Sequence, residues 1–173
     1  MAVRNYLVEG VSGAGKTSVA EELERRGYHV IHGDRVLAYH GDPETGKKLP
    51  KPPVLSATEA AEWGYPRWIW PVDTVRALQA DQGHTSTFFC GRTRNVGKFI
   101  EGFDKIFVLD VGRETLKSRL AHRGDDEFGG KPEELGIVLR YQALQETIRP
   151  DSIRIDTGVP IPQVVDTILS HCI

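Results

Sequence analysis

A chain of 173 residues is long enough for one compact domain with a buried core. Its 39% hydrophobic and 27% charged residues are ordinary for a globular protein, and no apolar run approaches the roughly 20 residues of a membrane-spanning helix. The net charge of -2 does not indicate a nucleic-acid or membrane partner, and two cysteines are too few for a disulfide framework, which favours a cytoplasmic location.

Strands and helices are predicted to alternate along the chain. An apolar strand over 6–9 begins so early that we expect no signal peptide. Further strands are predicted over 28–32, 85–90, 105–110 and 152–156. Helices are predicted over 17–26, 56–63, 68–81, 113–123, 132–148 and 161–171, and an exposed loop over 41–53. The alternation indicates one α/β domain, 1–173, with a parallel sheet and helices on both faces.

The turn after the first strand carries a complete phosphate-binding motif. Residues 10–17 match the pattern G-x-x-x-x-G-K-[ST], between an apolar strand and a helix. Lys16 is predicted to reach the β- and γ-phosphates as a catalytic cation, and the Thr17 hydroxyl to ligate Mg²⁺. Backbone N–H groups and the helix dipole favour an anion here. We therefore predict ATP binding by Gly10, Ser12, Gly13, Ala14, Gly15, Lys16, Thr17 and Ser18.

A chain of this size with this motif resembles the nucleoside and nucleotide kinase branch of the small P-loop kinases, the adenylate-kinase-like group. A GTPase is disfavoured because the sequence has no N-K-x-D motif. The resemblance implies a single-domain, three-layer P-loop NTPase fold with a five-stranded parallel sheet of order 2-3-1-4-5 and a short lid over about 124–131. It also implies ATP and Mg²⁺ as cofactors, and phosphoryl transfer to a hydroxyl or phosphate of a small acceptor.

Two shorter matches concern the acceptor. Asp34, followed by Arg35, comes after the second strand, where the resembled kinases carry an acid that binds or deprotonates the acceptor. Arg92 and Arg94 come after the third strand, and Arg94 falls on an arginine that binds phosphates in the family. The alternatives are a helix cap for Asp34 and solvated loop charges for the arginines. Cys90 replaces the family's aspartate near Mg²⁺, which leaves the metal placement open; the cysteine itself is interpreted as a core residue.

The nucleotide side of the resemblance rests on a helix and a loop. Arg119 and Arg123 lie one helical turn apart and are predicted to be catalytic, with Arg119 also over the nucleotide. A charged solvent face is the alternative. Arg140, on the next helix, is a further candidate for substrate binding. The resemblance places adenine against Thr157, Gly158, Val159 and Pro160.

The acceptor itself stays open. A nucleoside or nucleotide is the first hypothesis; a sugar, a shikimate-like acid or an antibiotic is an alternative, as is a nucleotide-binding module without transferase activity. The preference between ATP and GTP is undetermined, and we expect a monomer or homodimer without nucleic-acid or membrane partners. Four aromatic residues could stack on a planar acceptor or form a hydrophobic patch: Trp63, Tyr65, Trp68 and Trp70. Asp110 is interpreted as structural.

Overall fold

The computed structural model describes residues 3–53, 55–124, 128–144 and 149–172. The strands are β1 Arg4–Glu9, β2 His29–His32, β3 Tyr39–His40, β4 Trp68–Ile69, β5 Ser86–Cys90, β6 Lys105–Asp110 and β7 Ile153–Asp156. The α-helices are α1 Lys16–Arg25, α2 Gly33–Val36, α3 Ala57–Gly64, α4 Val72–Ala80, α5 Arg113–Ala121, α6 Pro132–Leu144 and α7 Ile161–Ser170. None of the helices in these ranges is long and apolar enough to cross a bilayer.

The main sheet has five parallel strands in the order β2-β5-β1-β6-β7. Numbering only these strands along the chain gives 2-3-1-4-5, so the predicted order is confirmed. The central strand β1 is buried on both faces because its side chains alternate between two hydrophobic layers. Tyr6 and Val8 pack toward α1, α5, α6 and α7, whereas Leu7 packs toward α4 and the segment around Phe103. The three-layer architecture is thereby confirmed.

A small second sheet corrects one prediction. Its strands β3 and β4 pair antiparallel, with Tyr39 opposite Ile69 and His40 opposite Trp68. The helix expected from residue 68 therefore begins only at Val72, after Pro71, because the preceding backbone is extended to pair with β3. Part of the predicted exposed loop 41–53 is also ordered, since Asp42 Oδ1 accepts hydrogen bonds from two backbone N–H groups of a tight turn.

The remaining elements lie close to their predicted positions. The helix predicted over 132–148 corresponds to α6, and its last four positions lie outside the described residues. The expected lid over 124–131 is described at Gly124 and from Phe128 onward, and its residues 125–127 lie outside that part of the chain. At its C-terminal end, the backbone N–H of Gly129 donates a 2.7 Å hydrogen bond to Glu134 on α6.

Replacing Gly33 by alanine is expected to destabilise the fold. A Cβ at residue 33 would lie 2.1 Å from Cζ2 of Trp70. The Trp70 ring is fully buried, so a shift of the ring would disturb the packing of the core. Overpacking of this kind costs about 1–3 kcal/mol, and each kcal/mol lowers Tm by roughly 2–4 °C in a domain of this size. Thermal unfolding measures the effect. Gly136→Ala is the matched control, because open space surrounds that position, and its Tm should not fall.

Candidate active site

A cleft of about 940 Å³ opens at the carboxyl ends of the parallel strands, where ligands bind in folds of this class. This volume lies within the range of small-molecule sites. At the phosphate-loop end, the cleft is lined by Ser12, Gly13, Gly15, Lys16, Thr17, Ser18, Arg119, Arg123 and Ile161. The other end includes Asp34, Arg35, His40, Lys51, Tyr65, Trp68, Arg92 and Arg94. The fold thus brings most of the predicted phosphate and acceptor residues to one cavity, but Gly10, Ala14 and Arg140 are not part of its wall.

The phosphate loop has the backbone that its glycines allow. Gly13 and Gly15 have φ of 86° and 109°, a region that residues with a Cβ rarely adopt. Gly15 is the N-cap of α1 and has no side chain to satisfy the first helical N–H groups. Those N–H groups, which lack helical carbonyl partners, line the cleft beside Lys16, Thr17 and Ser18. This backbone geometry suits an anionic phosphate, and phosphate binding by the loop stays a prediction.

Lys16 lies between the loop and the acceptor side. Its ammonium donates a hydrogen bond to the carbonyl of Gly10 and lies 3.8 Å from Oδ2 of Asp34. Burial lowers the pKa of Lys16, an effect opposed by the nearby carboxylates of Asp34 and Glu9. A buried cation favours a ligand that supplies negative charge. Lys16 is placed to bind a phosphate group.

Asp34 is held by main-chain and side-chain donors. The backbone N–H of Arg92 donates to Oδ1 at 3.0 Å, and the indole N–H of Trp68 donates to the same oxygen at 3.1 Å. The predicted alternative, a cap of the following helix by Asp34, differs from this arrangement: the N-cap of α2 is His32, without a side-chain cap bond. The carboxylate of Asp34 faces Lys16 across the cleft.

Arg92 is enclosed rather than solvated. Its guanidinium carbon lies 5.2 Å and 5.5 Å from the ring centroids of Tyr65 and Tyr141, and its Nε lies 3.6 Å from Glu9. The hydroxyl of Tyr65 is buried without a hydrogen-bond partner among the described residues, and burial raises the pKa of Tyr65 to about 12. Arg94 lies beside them, 5.3 Å from the ring of Tyr141. Both arginines line the cleft, as predicted for acceptor binding.

Arg119 joins two loops of the nucleotide side. Its Nη2 donates a 2.5 Å hydrogen bond to the carbonyl of Thr157, and its Nη1 lies 3.4 Å from the carbonyls of Gly13 and Ala14. Thr157 is fully buried and also donates to the carbonyl of Asp110. Gly158, Val159 and Pro160 are exposed just beyond it. The guanidinium therefore fixes the predicted adenine loop relative to the phosphate loop.

Arg119→Lys is expected to weaken ATP binding about tenfold, because an ammonium cannot reproduce the fork that contacts both loops. Isothermal titration with ATP and Mg²⁺ measures the change in Kd. Arg113→Lys, an exposed arginine on the same helix, is the control and should bind like the wild type. Unchanged ATP affinity in Arg119→Lys would show that this bridge does not organise the nucleotide site.

The other predicted arginines have different surroundings. Arg35 and Arg123 line the cleft, and Nη1 of Arg123 donates a 2.5 Å hydrogen bond to the carbonyl of Phe128 in the lid region. Arg140 is exposed on α6, 5.9 Å from the ring of Tyr141, and does not belong to the cleft wall. The structure therefore does not bring Arg140 to the other candidates, and its role stays a prediction.

The sequence did not single out His40, which lines the cleft. Its ring centroid lies 5.2 Å from each of Trp63 and Trp68. Burial, and the charge of Lys51, lower the pKa of His40, which favours the neutral imidazole. No local pattern marks this histidine, because it reaches the cleft only through the pairing of β3 with β4. Of the aromatic residues, Trp68 and Tyr65 line the cleft, whereas Trp70 is fully buried in the core.

Thr17, the predicted Mg²⁺ ligand of the motif, lines the cleft, and its role as a ligand stays a prediction. Cys90 is buried, and burial raises the pKa of its thiol, which agrees with the interpretation as a core residue. The carboxylate of Asp110 lies 3.5 Å from Arg154, next to a smaller cavity of about 280 Å³. In the described part of the chain no three His, Cys, Asp or Glu side chains form a metal-binding group. The Thr17 hydroxyl in the cleft fits a Mg²⁺ ion that arrives with its nucleotide.

No protein-family model matches this chain, and no curated protein matches it. Several solved structures do match this chain. A sugar kinase from Janibacter sp. HTCC2649 is 22% identical, with a TM-score of 0.59 and coverage of 98% of this chain and 94% of that chain. A shikimate kinase from Bacteroides thetaiotaomicron is 14% identical, with a TM-score of 0.57 and coverage of 98% of both chains.

This chain shares its fold with these solved kinases. A gluconokinase from Sinorhizobium meliloti 1021 has it too, at 19% identity and a TM-score of 0.55, over 96% of this chain and 90% of that chain. The TM-scores of 0.55 to 0.59 show a shared fold, and identities this low leave the reaction to be argued from the site. The fold does explain why the phosphate loop, Asp34 and the α5 arginines meet in one cleft, since each follows or lies beside a strand end of the parallel sheet.

Proposed function

We propose that this chain is an ATP-dependent kinase that transfers the γ-phosphoryl group to a hydroxyl or phosphate of a small acceptor. The observation that carries the proposal is the 3.8 Å separation of Asp34 and Lys16 in a cleft that also contains the phosphate loop. Phosphoryl transfer uses a cation that binds the phosphates and, for a hydroxyl acceptor, a carboxylate that orients the nucleophile; both groups lie in this cleft. The kinase activities named for the structures of similar fold support the same reaction class.

The proposed step is in-line transfer. The acceptor oxygen forms a bond to the γ-phosphorus of ATP, the bond from that phosphorus to the β–γ bridging oxygen breaks, and ADP leaves with that oxygen. When the acceptor is a hydroxyl, its proton passes to the carboxylate of Asp34. Lys16 and Arg123 stabilise the charge on the transferring group, while Arg119 holds the nucleotide loops. Mg²⁺, bound through Thr17, would neutralise phosphate charge.

A nucleoside or nucleotide remains our first choice of acceptor. Aromatic surfaces of Tyr65 and Trp68 stand beside the cations Arg35, Arg92 and Arg94 in one wall, which suits a planar base attached to polar or anionic groups. A sugar or a shikimate-like acid is the second choice, and it is supported by the names of the structures of similar fold. Both acceptor types fit the volume of the cleft.

The decisive experiment is ADP release by the purified protein with Mg²⁺-ATP across nucleosides, nucleotides, sugars, hydroxylated acids and antibiotics. We expect one chemical class to stimulate ADP release and to yield a phosphorylated product by mass spectrometry. The buried Cys90 in place of an acid favours the rival function, a nucleotide-binding module. ATP-dependent thermal stabilisation without product from any acceptor class would support that rival.

A further inference from the structure

The two oxygens of the Asp34 carboxylate have different surroundings. Oδ1 accepts both hydrogen bonds, from the backbone N–H of Arg92 and from the indole N–H of Trp68, whereas Oδ2 lies toward Lys16. The side chain of Asp34 is 37% exposed, so the carboxylate still reaches the cleft. Because the terminal torsion of an aspartate is soft, an unrestrained carboxylate would sample many orientations. Two donors on Oδ1 restrict the carboxylate to one of these orientations.

The small β3–β4 sheet delivers the second donor. Side chains alternate along a strand, so Ile69 of β4 is buried while Trp68 faces the cleft. The position of Trp68 is fixed from the main sheet as well, because the backbone N–H of Arg94 donates a 2.8 Å hydrogen bond to the Trp68 carbonyl. Gly91 leaves space for the carboxylate of Asp34. A Cβ at residue 91 would lie 3.0 Å from Oδ1 of Asp34. The backbone of Trp68 is therefore held both by the small sheet and by the segment that follows β5.

We propose that Trp68 is a positioning residue for the phosphoryl-transfer step: its indole N–H orients the Asp34 carboxylate so that Oδ2 faces the acceptor. The inference rests on the proposed kinase function. It gives Trp68 a role different from stacking on the acceptor, which is the other use of an aromatic side chain in the cleft wall. The two roles differ in what they require, because stacking needs only the ring and positioning needs the N–H.

The hydrogen bond is tested without turnover. The protein has three tryptophans, so its ¹H–¹⁵N spectrum should show three indole signals, and the signal lost in Trp68→Phe identifies that residue. In Asp34→Ala this signal should move upfield and exchange faster with solvent, while the other two indole signals stay in place. An unchanged Trp68 signal would overturn the proposal whether or not the wild type is a kinase.

The kinetic consequence is tested with the acceptor that stimulates the wild type. Trp68→Phe keeps an aromatic ring and should lower kcat about tenfold, because one of two hydrogen bonds to a charged group is lost. KM for the acceptor and Kd for ATP should stay within about twofold. Trp63→Phe is the control, since Trp63 lies outside the cleft wall and packs against His40 and Arg67; its kcat should match the wild type.

A double-mutant cycle separates positioning from stacking. In an Asp34→Asn background, Trp68→Phe should cause little further loss of kcat, because both changes disrupt one unit. A full additional tenfold loss, or a raised KM with unchanged kcat, would assign Trp68 to acceptor stacking and overturn the proposal. Absence of wild-type turnover would instead reject the kinase function, and the indole spectrum would still decide whether Trp68 orients Asp34.

Discussion

Replacing Lys16 by methionine is expected to lower the rate of phosphoryl transfer at least about a hundredfold while the fold remains intact. The ammonium is the cation of the phosphate loop, and it lies 3.8 Å from Asp34 and against the carbonyl of Gly10. Removal of a single preorganised charge stabiliser typically lowers kcat about 10²- to 10³-fold. Methionine keeps the length of the side chain without its charge, so the packing of the loop should change little.

The stability of Lys16→Met separates a chemical defect from a folding defect. Burial already lowers the pKa of Lys16, which shows that the charged form is disfavoured where it lies. Without ATP, we therefore expect a Tm equal to or above that of the wild type. The increase in Tm on adding Mg²⁺-ATP should shrink, because the phosphates lose their cation.

Lys117→Met is the matched control for this experiment. Lys117 is partly exposed on α5 and pairs only weakly with Glu114, at 3.2 Å in the adjacent helical turn. Its ADP release and its ATP-dependent stabilisation should equal those of the wild type. Turnover of Lys16→Met within tenfold of the wild type would contradict the assignment of the phosphate loop as the catalytic nucleotide site.

Asp34→Asn is expected to lower kcat by about 10²- to 10⁴-fold, the usual contribution of general acid–base catalysis. The amide is nearly isosteric with the carboxylate, and its oxygen can still accept from the Arg92 and Trp68 N–H groups. It cannot take the acceptor's proton. Kd for ATP should change by no more than about threefold, since the phosphate loop is untouched.

For Asp34→Asn, stopped assays of product formation measure kcat, and titration with ATP measures Kd. Asp73→Asn, an exposed aspartate in the first turn of α4, is the control and should retain wild-type kcat. If Asp34→Asn loses ATP affinity in proportion to kcat, the carboxylate acts through the nucleotide site. If kcat is unchanged with a hydroxyl acceptor, another group takes the proton.

Much of the main sheet was predictable because its signals are local. The run over Lys105–Asp110 is apolar as a buried parallel strand must be, and β6 has those bounds. Gly13 and Gly15 adopt the backbone that the phosphate motif predicts, since that geometry depends on residues next to one another in sequence. The strand order came from the family resemblance, because no periodicity within a strand states which strand lies beside it.

The small sheet and the contacts it makes could not be predicted in this way. Two-residue strands such as β3 and β4 carry no period, and the helical character of the segment after Trp68 favoured a longer helix. Arg119 shows the same limit: its spacing from Arg123 predicts a shared helix face, but its bonds to Thr157 join residues 38 positions apart. Such contacts depend on loop closure rather than on neighbouring residues.

By itself, the sequence determined the phosphate motif, the alternation of strands and helices, and the candidate residues at the ends of the strands. Tertiary structure alone decided that Trp68 and the Arg92 backbone share one oxygen of Asp34, that His40 lines the cleft and that Arg140 lies outside it. The physical reason is the separation along the chain of the residues on which each feature depends. Backbone conformation and burial are encoded over a few residues, whereas the orientation of a carboxylate depends on donors delivered by distant strands.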